Sequence, residues 1–282
     1  MTKPFFKWAG GKKVILKTLV ENLPDISVKN YYEPFLGGGA LFFHLCDSYL
    51  SGATCYLNDL NKPLINTYHN VMLNVNSVIE DLRSYTCSRE EYYRVRELFS
   101  ENKGENSVEQ SARFIYLNKC GFNGLYRENK KGKFNVPYGG DRKVNICDEE
   151  TLLRVNLALQ YKVELSSVSF NEVFKDIADG DRQFNYLDNT LVYFDPPYHK
   201  EKGNSFTNYT GYSFGEGDHI LLRNCADFLS CYGASVMLSN SDTEFVRELY
   251  KDYDIVEVVS RRSINRDGNG RKPKTELLVK NY

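Results

Sequence analysis

The sequence lacks the features that define several large classes of protein. Among its 282 residues the longest apolar runs, such as 40–46, fall far short of the roughly 20 residues that a membrane helix requires, and the N-terminus has no apolar stretch of a secretory signal. Its seven cysteines form no C-x-x-C pair, and its four histidines are scattered without metal-ligand spacing. We therefore expect no membrane segment, no disulfide framework and no metal site, and we expect a cytoplasmic location.

What the sequence does have is an uneven distribution of charge. The formal net charge is −1, yet residues 1–17 carry five lysines and no acidic residue, residues 127–143 carry six basic residues against two acidic ones, and residues 261–274 carry six against one. These segments are either three separate solvated loops or, once the chain is folded, one positive face on an acidic body. We favour the positive face, which is compatible with a polyanionic partner.

The order of predicted strands and helices indicates an α/β fold. A short strand, a glycine-rich turn and an apolar helix follow one another over 31–46, and a second strand covers 53–59. Apolar residues at three- and four-residue spacing then predict helices, without strands, from 62 to 121. Alternating strands and helices resume after residue 160 and end in two strands joined by a long hairpin tip.

This order predicts a Rossmann-like sheet that is assembled from both ends of the chain, residues 1–60 and 160–282, with a helical domain inserted at 61–159. Within the insert, residues 122–147 are rich in Gly, Asn and Lys and predict a basic loop or hairpin, which a helix at 148–161 follows.

Two features indicate a pocket for a nucleoside. The F-x-G-x-G stretch at 35–39 lacks the third glycine of a dinucleotide fingerprint, so it suits a ligand without a pyrophosphate. Asp59 follows the next strand and is placed to accept hydrogen bonds from ribose hydroxyls. The stretch KWAGGK at 7–12 lacks the spacing of a phosphate-binding loop, and its Trp8 is as compatible with a pocket wall as with the core.

The stretch VYFDPPY at 192–198 ends a buried strand with a carboxylate, two prolines and an aromatic ring. The two prolines hold Asp195 and Pro196 extended. The Asp195 carboxylate and the Pro196 carbonyl are then two acceptors for the two N–H groups of an exocyclic base amine, and Tyr198 offers a face on which a flipped-out base can stack. Such an arrangement makes a poor amine nucleophile reactive by positioning it.

The whole chain resembles the N6-adenine DNA methyltransferases of the Dam type, the D12 class of the α group, whose cofactor motif, recognition domain and catalytic motif follow one another in that order. The matching stretches are KWAGGK (7–12), EPFLGGGALF (33–42), LND (57–59), FIYLNKCGFNGLYR (114–127), GKFNVPYG (132–139), VYFDPPY (192–198), SFTNY (205–209), LSNSDT (238–243) and RRSI…KTELL (261–278). Each stretch is modest alone, but their shared order along nearly the entire chain makes chance similarity remote.

The resemblance implies an S-adenosylmethionine-dependent enzyme that methylates adenine N6 in double-stranded DNA, with GATC as the site. The residues that it implies for cofactor binding are Trp8, Lys12, Phe35, Gly37, Gly39, Asp59, Phe170 and Asp195. Those that it implies for catalysis, by holding the flipped-out adenine, are Asp195, Pro196, Pro197 and Tyr198. Those that it implies for DNA binding, with Phe122 inserted among the bases and Lys7 at the outer guanine, are Lys7, Phe122, Asn123, Leu125, Arg127, Pro137 and Arg142.

The chain departs from the family pattern at one point. Many relatives continue V-P-F/Y-G with Arg, an aromatic residue and Lys, whereas this chain has Gly140 and Asp141 in the first two of these places. Arg142 and Lys143 retain positive charge at a shifted position. Contacts to the first base of the site, or to its flanking phosphates, are therefore expected to differ.

Two alternative functions remain open at this point. Asp/Asn-Pro-Pro-Tyr motifs also serve methyltransferases that act on amines of RNA or protein, and a DNA-binding relative that has lost catalysis would keep the basic segments. The extent of the resemblance and the Asp at position 195 argue against the first alternative. The complete DPPY and FLGGG motifs argue against the second.

Overall fold

The computed structural model describes residues 2–8, 10, 12, 15–141, 143–178, 187–200, 214–260 and 274–282. Within these residues seven strands form one sheet in the order β3-β2-β1-β4-β5-β7-β6. The strands are β1 (Asn30–Glu33), β2 (Thr54–Asn58), β3 (Val163–Ser166), β4 (Thr190–Phe194), β5 (Ser235–Ser241), β6 (Asp254–Ser260) and β7 (Lys274–Lys280). Neighbours from β3 to β5 are parallel, and β7 runs antiparallel between β5 and β6. The predicted Rossmann-like α/β sheet is confirmed.

Helices lie before, between and after these strands. They are α1 (Leu16–Glu21), α2 (Ala40–Leu45), α3 (Lys62–Ser84), α4 (Arg89–Glu101), α5 (Val108–Cys120), α6 (Glu149–Leu159), α7 (Lys175–Ala178), α8 (Glu216–Cys231) and α9 (Glu244–Leu249), with short 3₁₀ turns at Phe122–Gly124 and Glu172–Phe174. Four of them, α3 to α6, fall between β2 and β3, so the long helical stretch that the sequence predicts is present there.

Polar caps fix where the long helices between β2 and β3 begin. The side chain of Asn61 accepts the N–H of Leu64 at the start of α3, and Ser88 and Ser107 accept the equivalent N–H groups of α4 and α5. Each cap satisfies one of the backbone donors that a helix N-terminus leaves without a partner. The first turn of α3 also contains a proline, which suits that position because its missing N–H is not needed there.

Strand β4 shows how the sheet divides two hydrophobic cores. All five of its residues are buried, and alternate residues face opposite sides. Leu191 and Tyr193 join a cluster that also contains the buried residues of α3, α4, α5 and α6. Val192 and Phe194 join a second cluster with the buried residues of α8 and α9. The helices between β2 and β3 therefore share a continuous core with one face of the sheet.

The described residues were also compared with the features of membrane, disulfide-linked and metal-binding proteins. None of these helices is long and apolar enough to cross a membrane. All seven cysteines are free thiols. Among the residues that the structure describes, no group of three or more His, Cys, Asp or Glu side chains is arranged to hold a metal ion.

The sheet topology brings distant parts of the sequence to one edge. Parallel strands β1, β2 and β4 end at the same edge, where the glycine turn, Asp59 and Asp195 follow them directly. Ligands of open α/β sheets bind at this carboxyl edge. Because β7 is antiparallel, its first residues lie at the same edge, and Glu276 is paired in register with Ser241 near the end of β5.

Candidate functional site

The turn after β1 requires glycine at two positions. Gly37 and Gly39 have φ angles of 49° and 65°, in the left-handed region that residues with a Cβ rarely adopt. A Cβ at Gly37 would lie 2.7 Å from Cδ1 of Trp8, and one at Gly39 would lie 2.9 Å from the ring of Phe43. The indole of Trp8 thus packs directly on the turn, and the structure brings together three residues that the sequence places in the cofactor pocket.

Asp59 closes the other side of this turn. Its two carboxylate oxygens accept the backbone N–H groups of Gly37 and Asn61, each at 2.9 Å. Burial raises the pKa of Asp59 to about 6, and these two N–H groups act against that rise. The carboxylate is therefore ionised at neutral pH, and its remaining lone pairs can accept hydrogen bonds from a diol.

Phenylalanine rings form a wall beside the turn. The rings of Phe35 and Phe170, both predicted for the pocket, lie 5.3 Å apart. Phe214, which the sequence analysis did not select, lies 5.8 Å from each of them. Such a wall can receive the flat face of a base.

Asn58 holds the strand ends beneath this wall and was also missed. Its side-chain amide donates to the carbonyls of Pro34 and Val168, and its carbonyl accepts the N–H of Val168 and the hydroxyl of Ser166. It is 1% exposed. Asn58 therefore fixes the segments that carry Phe35 and Phe170 at a set separation.

Asp195 lies at the end of β4 in a charged network. Its carboxylate oxygen Oδ1 is 2.6 Å from Nζ of Lys12, which is 6% exposed. The same ammonium donates to the hydroxyl of Tyr198 at 2.7 Å, and that hydroxyl donates to Oε2 of Glu276 at 3.0 Å. Pro196 is buried and Pro197 exposed. By resemblance, Lys12 was predicted to line the cofactor pocket, and in the structure its ammonium contacts the catalytic candidate Asp195.

Burial and Lys12 have opposite effects on Asp195. Removal from water raises the pKa of Asp195 above its ordinary value, and the adjacent ammonium of Lys12 lowers it. Lys12 thus favours the ionised carboxylate, which accepts hydrogen bonds and cannot donate one. That is the form needed to receive the N–H of an amine.

A second carboxyl group lies deeper in the same region. Glu33, the last residue of β1, is 2% exposed, and its Oε2 accepts a hydrogen bond from the hydroxyl of Tyr31, with 2.7 Å between the two oxygens. Burial, with a smaller contribution from the charge of Asp195, raises the pKa of Glu33 to about 8, and the hydrogen bond from Tyr31 acts against that rise. At neutral pH burial therefore keeps Glu33 protonated, whereas the ammonium of Lys12 favours the ionised form of Asp195.

The candidate nucleic-acid segment begins with an exposed turn. After α5 the chain turns through Phe122–Gly124, where Phe122 is 51% exposed and Asn123 has a φ of 55°. The N–H of Phe122 donates to the carbonyl of Pro137 at 2.9 Å, and antiparallel bridges join Gly121 to Tyr138 and Glu128 to Phe134. Residues 121–138 therefore form a hairpin that presents an exposed aromatic ring beside Pro137.

Asn118, which the sequence analysis did not select, joins this turn to the N-terminal segment. Its side-chain amide donates to the carbonyls of Lys7 and Gly124 at 2.7 and 2.9 Å, and its carbonyl accepts the N–H of Lys7 at 3.0 Å. A Cβ at Gly124 would lie 2.7 Å from Cβ of Lys7. Lys7 and the 122–124 turn, both predicted to meet DNA, are thus held together by one buried side chain.

The other predicted DNA-binding residues have different surroundings. Leu125 is half-buried against the core, and Arg127 is exposed and donates to the side-chain carbonyl of Asn135 across the hairpin at 2.7 Å. Arg142 lies outside the described residues, as do the SFTNY stretch and residues 261–273 of the third basic segment. Of the candidate DNA-binding residues in the described chain, Lys7 lies in the first basic segment and Arg127 and Pro137 lie in the second. Residues 122, 123 and 125 directly precede the second basic segment.

The departure at residues 140 and 141 has a local structural basis. Gly140 has a φ of 90°, which residues with a Cβ rarely adopt, and Asp141 accepts the hydroxyl hydrogen of Tyr138 at 3.1 Å. The chain therefore turns at residues 140 and 141, just before Lys143.

Comparisons with known proteins agree with this arrangement. The profile of the D12 class N6 adenine-specific DNA methyltransferases matches residues 8–264. The type II methyltransferase M.MjaIII of Methanocaldococcus jannaschii is 40% identical, with 99% of each chain covered. The type II methyltransferase M1.LlaDCHI of Lactococcus lactis is 35% identical over 99% of this chain and 95% of its own length. The DNA adenine methylase of Escherichia coli K12 is 33% identical over 98% of this chain and 94% of its own length.

Proposed function

Because the chain belongs to the D12 class of N6 adenine-specific DNA methyltransferases, we propose that it transfers a methyl group from S-adenosylmethionine to N6 of an adenine flipped out of duplex DNA, within the sequence GATC. The observation that carries this proposal is the Asp195 carboxylate, held by Lys12 at the edge of the sheet where the glycine turn and Asp59 also lie. We propose the cytoplasm as the place of action.

The proposed role of Asp195 and its neighbours is to bind the amine in a reactive geometry. The lone pair of an adenine amine is delocalised into the ring. The Asp195 carboxylate and the Pro196 carbonyl would each accept one N–H, favouring a geometry in which the lone pair is free to attack. Tyr198 would stack on the base, and Pro197 would keep the backbone extended. Catalysis would then depend on position and electrostatics and not on a strong base.

The residues around the glycine turn fit S-adenosylmethionine, which supplies a methyl group made electrophilic by its sulfonium. Asp59 is ionised at neutral pH and would accept hydrogen bonds from the ribose hydroxyls. Phe35 and Phe170 would contact the adenine ring, and Trp8 would cover the backbone at Gly37 and Gly38. Lys12 would line the same pocket.

The hairpin would supply recognition of the duplex. Phe122 is exposed on a turn that Asn118 and Pro137 hold in place, so its ring could enter the base stack without reorganising the core. Asn123 would then occupy the space left by the adenine. Leu125, Arg127, Pro137 and Lys7 would meet base edges, and Arg142 would add charge. In this proposal residues 1–60 and 160–282 form the catalytic domain, and the insert 61–159 forms the recognition domain.

Methyl transfer from labelled S-adenosylmethionine tests the proposal. The purified chain would be given a duplex with one GATC site, duplexes altered one base pair at a time, a duplex RNA of the same sequence, and protein. Label should enter only the GATC duplex, and nuclease digestion should recover it as N6-methyladenine. Label in RNA or protein, or equal labelling of all DNA duplexes, would refute the substrate or the site.

A variant of Asp195 tests the catalytic assignment. Asp195→Ala should lower turnover by about 100-fold or more, since an interaction made in the transition state is typically worth roughly 3 kcal/mol. Binding of the GATC duplex, measured by fluorescence anisotropy, should persist because Asp195 would act on the amine. Turnover above about a tenth of the wild-type value would contradict the assignment.

A further inference from the structure

We propose that Glu276 is a positioning residue for the reaction: it fixes the hydroxyl of Tyr198, and through that hydroxyl the ammonium of Lys12, so that Asp195 is held ready for the adenine amine. This inference rests on the proposed function. It adds to the catalytic site a residue from β7, which lies far along the chain from the VYFDPPY stretch.

The hydrogen atoms in this network can be placed from chemistry alone. The ammonium of Lys12 can only donate, so the Tyr198 hydroxyl oxygen must accept from it. The hydroxyl hydrogen then has to go to another acceptor, and Oε2 of Glu276 lies 3.0 Å away. A carboxylate only accepts. The order from Lys12 through Tyr198 to Glu276 therefore has a single direction, and Glu276 ends it.

The network orients both catalytic candidates at once. Lys12 donates to the Asp195 carboxylate and the Tyr198 hydroxyl, and its Nζ also lies 4.4 Å from the centre of the Tyr198 ring. Loss of the acceptor at residue 276 would remove this constraint on the Tyr198 hydroxyl, which could then turn towards Asp195. The tyrosine would then compete with the amine for the carboxylate, and Lys12 would lose a fixed partner.

The sheet explains why Glu276 can reach Tyr198. Glu276 is the third residue of β7 and is flanked by Ser241 of β5 and Val258 of β6 in the antiparallel ladder. Glu276 thus lies between two neighbouring strands of the sheet, and the residue that follows it in β7, Leu277, is 1% exposed. The side chain of Glu276 is therefore attached to a rigid element, which suits a positioning role.

A double-mutant cycle with Tyr198 provides the test. Single-turnover methyl transfer on the GATC duplex would be measured for the wild type, E276A, Y198F and the double variant. If Glu276 acts through the hydroxyl, E276A should slow transfer by about tenfold or more. The double variant should then be within about twofold of Y198F, because both changes remove one interaction. The dissociation constant for S-adenosylmethionine should stay within about twofold of the wild-type value.

Two further variants separate position from charge and from folding. E276Q keeps a carbonyl acceptor and should retain at least about a third of the wild-type rate. E276V lacks an acceptor but suits a strand. It therefore replaces E276A in the cycle if E276A is poorly folded, and it should slow transfer by the same factor that is expected for E276A. Glu257, exposed on the neighbouring strand β6 and paired with Arg247, supplies the control E257A, which should transfer methyl groups at the wild-type rate.

The outcomes decide between the inference and its competitors. The inference would be overturned if the double variant were slowed by the product of the factors for E276A and Y198F. It would also be overturned if E276Q were as slow as E276A. A tenfold weaker affinity of E276A for S-adenosylmethionine with unchanged single-turnover rate would make Glu276 a cofactor ligand and also overturn it. Failure of the wild type to methylate any duplex would instead refute the proposed function, so the two failures are distinguishable.

Discussion

The buried carboxyl group of Glu33 should make the stability of the folded chain depend on pH. Burial raises its pKa from 4.5 to about 8, so the folded protein retains a proton on Glu33 at neutral pH that the unfolded chain has lost. The stability that the protonated Glu33 contributes is therefore fully present below about pH 4.5 and is lost as the pH rises through 8. Glu33→Gln removes this titration. It also keeps an acceptor and a donor of similar shape beside the hydroxyl of Tyr31.

The expected magnitude follows from these two pKa values. Over the pH range in which Glu33 is ionised in the unfolded chain and protonated in the folded chain, the free energy of unfolding falls by about 1.4 kcal/mol per pH unit. Between pH 5.5 and 7.5 the wild type should lose about 2.5 kcal/mol through Glu33. The free energy of unfolding of Glu33→Gln relative to the wild type should therefore rise by about 2.5 kcal/mol over that range, whatever its offset at pH 5.5.

Urea unfolding at half-unit pH intervals, followed by tryptophan fluorescence and circular dichroism, measures this difference. Glu164→Gln, on the exposed surface of the edge strand β3, is the matched control for replacing a glutamate. The difference should grow steadily with pH for Glu33→Gln and not for the control. A change below about 1 kcal/mol between pH 5.5 and 7.5 would show that Glu33 is ionised in the folded protein, and the assignment of a protonated Glu33 at neutral pH would be wrong.

Four other substitutions test the rest of the site. Asp59→Ala should weaken S-adenosylmethionine binding in calorimetry by about 1.5–3 kcal/mol, and an unchanged affinity would exclude a contact with the ligand. Gly37→Ala should destabilise the chain by about 1–3 kcal/mol in urea unfolding, since the new methyl group meets Trp8 in a strained backbone, whereas Gly217→Ala, which meets nothing within 4 Å, should not. Arg127→Ala should lose discrimination at one outer G·C pair of GATC, by about 1–3 kcal/mol; equal slowing on every altered duplex would make it a phosphate contact. Asn118→Ala should weaken discrimination among duplexes more than it weakens cofactor affinity, and wild-type discrimination would show that Lys7 and the 122–124 turn need no common support.

Local patterns were sufficient to predict the sheet and much of the candidate site. Strand β2 is a short apolar run, and α3 to α5 have clear three- and four-residue spacing. The strand at 53–59 and the helical stretch from 62 to 121 were therefore predicted close to their observed bounds. The glycine turn and Asp59 also follow their strands directly. In a parallel sheet this fact alone brings them to one edge.

Contacts between distant residues could not be predicted in the same way. Glu276 meets Tyr198 only because β7 is inserted antiparallel between β5 and β6, and nothing in the composition of KTELL indicates that neighbour. Asn118 has the local pattern of a buried helix residue, and its bonds to Lys7 and Gly124 join segments that are 111 and 6 residues away. Lys12 was assigned to the pocket, but its contact with Asp195 depends on the path of the N-terminal segment, which local sequence does not indicate.

That N-terminal segment connects the parts of the proposed site. The backbone of Lys7 is bound by Asn118 beside the hairpin, Trp8 packs on the glycine turn, and the ammonium of Lys12 is bound to Asp195. These contacts attach Lys7, Trp8 and Lys12 to three different parts of the proposed site, which are the hairpin, the glycine turn and Asp195. Residues that the chain places within six positions of one another therefore reach the proposed recognition, cofactor and catalytic parts of the site, although the VYFDPPY stretch lies about 180 residues away along the chain.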